Sequence, residues 1–79
     1  MNRLYFIGSN ALVAEFAHYK GVAVDQIIHV RTTLKVKQIV PGSDVYVSHD
    51  SITSAKLYVF CKERGNVRLK SWTVVHGEI

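Results

Sequence analysis

The stretch Leu4-Tyr5-Phe6-Ile7-Gly8-Ser9-Asn10 decides the fold, because it joins an apolar run to a glycine and two small polar residues. The same order recurs at Ile27-Ile28-His29-Val30 before Arg31-Thr32-Thr33, and at Val45-Tyr46-Val47 before Ser48-His49-Asp50-Ser51. Strands that are apolar on both faces and lead into helices are typical of a parallel sheet that helices cover. The sequence therefore predicts an α/β fold.

The first unit has the clearest boundaries. Arg3–Ile7 is predicted to be a strand, and the side-chain oxygen of Ser9 or Asn10 is predicted to cap the helix that follows it. One side of that helix is apolar, with Leu12, Phe16 and Tyr19. Gly21 is well placed to end the helix.

The second unit contains an ambiguous segment. Val22–Gln26 is predicted to be a connector and Ile27–Arg31 a strand. Thr32–Val40 fits a short helix, capped by Thr32 or Thr33 with Val36 and Ile39 facing inward. It also fits a strand that pairs with the third strand, Asp44–Ser48, across the turn Pro41–Asp44. The helix is favoured, because it repeats the order of the neighbouring units.

The third unit is ambiguous in the same way. Asp50 or Ser51 is predicted to cap a helix that runs through Arg64 and ends at Gly65-Asn66. However, the apolar residues from Leu57 to Cys61 point all round a helix, and Lys56–Lys62 with Val67–Val74 would make a hairpin. The helix is favoured here too, and a last strand is then predicted at Val67–Val75.

These units predict the architecture of the whole chain. The 79 residues suffice for one domain, residues 1–79. We expect a small three-layer α/β domain with a mostly parallel sheet of about four strands and helices on both faces. An exposed edge strand near Trp72 would make a homodimer plausible, because two copies could pair through it.

Several classes of protein are disfavoured by composition. Cys61 is the one cysteine, so it is expected to be a small buried hydrophobe in a reducing cytoplasm. No stretch approaches the roughly 20 apolar residues of a membrane span, and the start does not resemble a signal peptide. The histidines lack metal spacing, and Gly8 alone does not make a dinucleotide or phosphate-loop motif. We expect a cytoplasmic protein without metal, cofactor or membrane partner.

The net charge of +4 is concentrated in one segment. Five of the ten basic residues lie between Lys56 and Lys70, where Glu63 is the one acidic residue. A clustered positive charge predicts an anionic partner, either an acidic protein surface or nucleic acid. The predicted partner-binding residues are Lys56, Lys62, Arg64, Arg68, Lys70 and a partly exposed Trp72. Nucleic acid would use Tyr58, Phe60 or Trp72 to stack on bases.

The polar turns after the strands offer a second candidate site. Gly8, Ser9 and Asn10 open the first helix, whose positive end could hold an anion with help from Arg31. In Ser48-His49-Asp50-Ser51, adjacent side chains rarely point at one another, so a helix cap is favoured over a catalytic triad. An enzyme would need Gly8, Arg31 and His49 to converge on one pocket.

Three features together resemble small Rossmann-like chains encoded by bacteriophages. They are Ile7-Gly8-Ser9-Asn10, Thr32 with Val36 and Ile39, and Pro41-Gly42 before Val45-Tyr46-Val47. The resemblance implies a Rossmann-like fold and a protein that binds and redirects a host protein. The predicted function is therefore non-enzymatic binding of a host protein with an acidic surface. Nucleic-acid binding is the alternative, and a minimal nucleotide-binding enzyme at the strand ends is less favoured.

Overall fold

Three strand–helix units in succession, followed by a hairpin, build the described part of the chain. The computed structural model describes residues 4–78. Its strands are β1 (Leu4–Ile7), β2 (Ile27–Val30), β3 (Asp44–Val47), β4 (Arg68–Thr73) and β5 (Gly77–Glu78). Its helices are α1 (Asn10–Lys20), α2 (Thr33–Lys37) and α3 (Ile52–Arg64), with a short 3-10 helix at Val24–Gln26 before β2.

The strands form one mixed sheet in the order β2-β1-β3-β4-β5. Strand β1 pairs in parallel with both β2 and β3, β3 pairs in parallel with β4, and β5 is antiparallel to β4. The predicted α/β class is confirmed, whereas β5 was not predicted. The predicted last strand extends too far, because the chain turns after Thr73 and returns through Gly77, whose φ is +66°. A side chain at Gly77 would be strained.

Both ambiguous segments are helices, as favoured from the sequence. The Thr32 side chain caps α2 by accepting a hydrogen bond from the Lys35 N–H at 3.2 Å. The Ser51 side chain caps α3 by accepting from the Ser54 N–H at 3.1 Å. A side-chain oxygen at this position satisfies one of the N–H groups that a helix start leaves free. Helix α2 ends at Lys37, earlier than predicted.

Each face of the sheet carries its own apolar cluster. Side chains along a strand alternate between faces, so Phe6 points to one side while its neighbours Tyr5 and Ile7 point to the other. The cluster around α1 contains Phe6, Phe16, Ala17, Ile27, Tyr46 and Trp72. The cluster around α2 and α3 contains Tyr5, Ile7, Val30, Val36, Ile39, Val45, Val47, Leu57 and Cys61.

Trp72 is buried in the first cluster, and the predicted partial exposure of its side chain is wrong. Only 2% of the residue is exposed. Its ring lies edge-on to Phe6 and Phe16, with centroid distances of 5.8 and 5.3 Å, and β5 pairs with β4 at Trp72. The sheet therefore does not end in a free edge beside this residue. Within residues 4–78 the buried indole Nε1–H has no acceptor.

The short strand β5 is tied to the end of α1 through a lysine. The Lys20 Nζ donates to Glu78 Oε1 at 3.0 Å and to the Tyr46 hydroxyl at 2.7 Å. Burial alone would lower the pKa of Lys20, but these two hydrogen bonds and the attraction of the same two groups together outweigh it and raise that pKa. This contact brings α1, β3 and β5 together.

The Cys61 thiol is fully buried, as expected from its apolar surroundings in the sequence. Burial raises its pKa, because the thiolate is poorly solvated among apolar side chains. The thiol is therefore a packing group on the buried side of α3.

Replacing Phe16 by alanine tests this account of the core. The ring is fully buried and stacks on Phe6 with a centroid distance of 4.7 Å. We expect F16A to lower the free energy of unfolding by about 3–5 kcal/mol, as measured by urea denaturation. The exposed Val75 provides the control, since V75A should change it by less than about 0.5 kcal/mol. A loss below about 1 kcal/mol for F16A would contradict this packing of α1.

Candidate functional site

A cleft of about 310 Å³ opens at the carboxyl ends of β1 and β2. It lies where the strand order reverses, because the chain crosses from β1 to β2 on one side while β3 pairs on the other. Open α/β sheets characteristically bind ligands at such a point. The first two turns of α3 form a further wall, and the polar lining includes Gly8, Ser9, Asn10, Arg31, Ser51 and Ser54. The structure thus brings the four predicted anion-binding residues to one cleft.

The turn at Gly8 is held by its neighbours on both sides. A Cβ at this position would lie 2.6 Å from Cζ of the buried Phe6 ring, so the turn has room only for glycine. The His29 side chain donates from Nε2 to the Gly8 carbonyl oxygen at 2.6 Å. Since a carbonyl can only accept, Nε2 of His29 is the donor in this contact. His29 therefore positions the floor of the cleft.

Asp50 joins the two helix starts that border the cleft. Its Oδ2 accepts from the Ser9 N–H at 3.2 Å, and its Oδ1 accepts from the Ser54 hydroxyl at 3.0 Å. Ser9 stands at the N-cap of α1 without a side-chain capping bond, so the predicted local cap at this helix is wrong. The carboxylate of Asp50, which is distant in sequence, supplies the acceptor instead. Its negative charge is also favourable beside the positive end of the α1 dipole.

The pKa of Asp50 reflects these contacts. Partial burial raises it, but the hydrogen bonds from Ser9 and Ser54 have the larger combined effect and hold it below its usual range. The carboxylate is therefore ionised at neutral pH. Its negative charge stands beside the groups predicted to hold an anion. This charge weakens the attraction of the cleft for an anionic ligand.

His49 does not join the cleft. Its imidazole is exposed and packs edge-on against Tyr58, with a centroid distance of 4.8 Å. The cleft is lined by Gly8 and Arg31 but not by His49. The convergence of these three residues that an enzyme would need is not present.

The basic segment does not form a single surface. Lys56 and Lys62 are on α3, which packs through Leu57 and Cys61 on one side of the sheet. On β4, Leu69 points to that same side of the sheet. Because side chains alternate along a strand, Arg68 and Lys70 point to the opposite face, which they share with Trp72. Neighbours in sequence are thus separated by the sheet.

Two of the arginines in this segment are already engaged. Arg64 donates from Nη1 to the Val36 carbonyl oxygen at 2.6 Å, at the end of α2. Arg68 forms an ion pair with Asp44 across β3 and β4, with 2.6 Å between Nε and Oδ1. By contrast, Lys56, Lys62 and Lys70 are exposed and have no carboxylate within ion-pair distance in the described part of the chain.

An apolar surface on α3 was missed at the sequence level. Ile52, Ala55, Lys56 and Val59 line a shallow hollow of about 360 Å³ on the side of the helix that faces solvent. We call these four residues the α3 outer face. The signal was present, because the apolar residues of this segment point all round the helix. It was interpreted as helix–strand ambiguity rather than as a second apolar side.

Neither a metal site nor a membrane-spanning helix is found between residues 4 and 78. No group of three or more histidine, cysteine, aspartate or glutamate side chains is arranged to hold a metal ion. None of the three helices there has both the length and the apolar character that crossing a bilayer demands.

Replacing Asp50 by asparagine tests its role at the helix starts. A carboxylate with a lowered pKa stabilises the fold fully above its usual pKa of about 4, and the effect is lost as the pH falls through the lowered value. D50N should therefore be less stable than the wild type at pH 7, and the difference should shrink at acidic pH. Thermal unfolding between pH 2 and 7 measures this, with the exposed Glu15 in E15Q as control. An equal difference at every pH would contradict it.

The comparisons with known proteins add no assignment to this geometry. No protein-family model, no curated protein and no solved structure matches the chain.

Proposed function

We propose that this protein is a non-enzymatic binding module whose α3 outer face contacts another protein. One observation carries the proposal: Ile52 is 77% exposed and Val59 is 51% exposed on the same side of a regular helix. Single exposed apolar residues are common, but a row of them at helical spacing marks a contact surface.

The packing of α3 explains why this side needs a partner. The apolar residues of a surface helix normally face the core, and its solvent side is normally polar. The sheet covers only the side that carries Leu57 and Cys61. Ile52, Ala55 and Val59 follow one another at intervals of three and four residues, so they share the uncovered side. Burying one such aliphatic side chain contributes about 1.5–3 kcal/mol, which makes this row a suitable anchor for a groove on another protein.

The charges beside this row indicate the chemistry of the partner. Lys56 stands one turn beyond Ile52, and it is exposed without a carboxylate partner among the described residues. Glu63 lies one turn beyond Val59, at the other end of the row. A complementary surface is therefore an apolar groove with carboxylates near Lys56. The net charge of +4 would speed its encounter with an acidic protein.

The resemblance to small bacteriophage-encoded chains supports a host protein as this partner. The apolar clusters on both faces of the sheet also support the finer description of a Rossmann-like, three-layer arrangement, which we include in the proposal. In this function the sheet holds α3 in place, and α3 makes the contact with the partner.

Nucleic acid is the weaker candidate for the partner. Binding to single strands would call for aromatic side chains that are free to stack on bases. Tyr58 and Phe60 are partly buried against the cluster around α2 and α3, and Trp72 is buried. The lysines could still contact phosphates, but Trp72 is not accessible to a base and Tyr58 and Phe60 are only partly exposed.

The double variant I52Q/V59Q tests the proposed function. Glutamine has a helix propensity at least as favourable as isoleucine and valine, so α3 should persist while its outer face becomes polar. A tagged wild-type protein should capture a protein from nuclease-treated bacterial lysate, and I52Q/V59Q should lose at least about nine-tenths of that capture. The matched control is V74Q/V75Q, because these valines are also exposed but lie in the turn before β5.

Three results would count against the proposal. Equal capture by I52Q/V59Q and the wild type would exclude the α3 outer face. Loss of capture in R68E/K70E alone would place the contact on the other side of the sheet. Capture that disappears on nuclease treatment would favour nucleic acid.

A further inference from the structure

We propose that the uncovered part of the β4 edge, at residues 68–70, binds an extended segment of another protein that carries carboxylates at alternate positions. The segment adds to the sheet as a further strand beside β4. This contact is separate from the α3 outer face and does not depend on the proposed function.

Strand β4 is longer than the strand that covers its outer side. It has six residues, Arg68–Thr73, whereas β5 pairs only with Trp72 and Thr73. On the inner side β3 pairs with β4 from Arg68 onward. Within residues 4–78, the beginning of β4 therefore has a strand neighbour on one side only. An open edge of this kind is where an extended segment can add to a sheet.

The register shows which backbone groups of β4 face this edge. The Arg68 N–H donates to the Ser43 carbonyl oxygen at 3.0 Å, so the backbone groups of Arg68 point toward β3. Neighbouring residues of a strand point these groups to opposite sides, so the N–H and C=O of Leu69 point away from β3. Neither group has a partner among the described residues. They are the donor and acceptor that an added strand engages.

The side chains next to Leu69 select the chemistry of the segment. Arg68 and Lys70 are exposed on the face of the sheet that carries Trp72. Lys70 has no carboxylate within ion-pair distance in the described part of the chain. A second copy of this chain would bring these positive charges against their own equivalents, which disfavours pairing. Acidic side chains directly opposite them are favourable instead.

Strand β5 is an internal example of such a segment. It runs antiparallel to β4 and places Glu78 opposite Trp72, where its Oε1 accepts from Lys20 Nζ at 3.0 Å. Hydrogen bonds from Lys20 and Tyr46 lower the pKa of this carboxyl group, and the charge of Lys70 adds to the effect. This face therefore already stabilises one carboxylate beside β4. The next position on the same face of an added strand lies two residues along, opposite Lys70.

An NMR titration of the protein with a synthetic peptide tests the proposal. The peptide alternates threonine with glutamate, because threonine favours strands and glutamate supplies the carboxylates. We expect the Leu69 amide signal to shift and saturate, and the hydrogen exchange of this amide to slow as its N–H becomes bonded. The same peptide with glutamine in place of glutamate should bind at least about tenfold more weakly.

Charge reversal identifies the side of the sheet that binds the peptide. K70E should weaken binding of the glutamate peptide by about tenfold or more. K56E makes the same change in net charge on α3, so it is the matched control and should weaken binding by less than about twofold at physiological ionic strength. I52Q/V59Q should bind the peptide as the wild type does, which keeps this test independent of the proposed function. Circular dichroism checks that every variant keeps its fold.

Each contrary result decides against the proposal. An unchanged Leu69 signal at every peptide concentration would mean that Arg68 and Lys70 only protect this edge from other strands. Equal binding of the glutamate and glutamine peptides would exclude recognition of carboxylates. Equal losses in K56E and K70E would reduce the contact to attraction between net charges. Binding without slower exchange at Leu69 would exclude the addition of a strand.

Discussion

The ring of Phe6 is the contact on which most of this structure depends. It stacks on Phe16 of α1, lies edge-on to Trp72 of β4 and leaves no room for a side chain at residue 8. One side chain thereby joins the first strand, the first helix and the fourth strand of the sheet. It also shapes the turn at Gly8, whose carbonyl His29 then holds. The floor of the cleft is a consequence of how this face of the core is packed.

Local patterns in the sequence were sufficient for most of the fold. The three strand–turn–helix units could be located because the apolar spacing and the capping residues Thr32 and Ser51 act within a few positions of one another. Strand β5 has only two residues, and its pairing with β4 depends on the turn at Gly77. The burial of Trp72 depends in turn on α1, which is remote in sequence. No local pattern carries that information.

The candidate site, like the fold, could be predicted from the sequence only in part. The sequence predicted that Gly8, Ser9, Asn10 and Arg31 could come together, because strand ends meet at one edge of a parallel sheet. It could not show that Asp50 would accept from the Ser9 N–H, since that bond forms only once β1 and β3 are paired. Nor could it show how the lysines and arginines between Lys56 and Lys70 are distributed over the surface, because closeness along the chain does not fix closeness in space. Alternation along β4 places Arg68 and Lys70 on the face opposite α3.

The buried indole of Trp72 has a practical consequence for studies of this protein. It is the one tryptophan in the chain, so its fluorescence arises from a single, defined environment. In the folded state the ring is surrounded by Phe6, Phe16 and Tyr19, contributed by β1 and α1. Its emission should shift to longer wavelength when water reaches it. The protein thus carries an intrinsic optical probe for the docking of the β4–β5 hairpin onto the first helix, and the steps of folding can be followed in time without an added label.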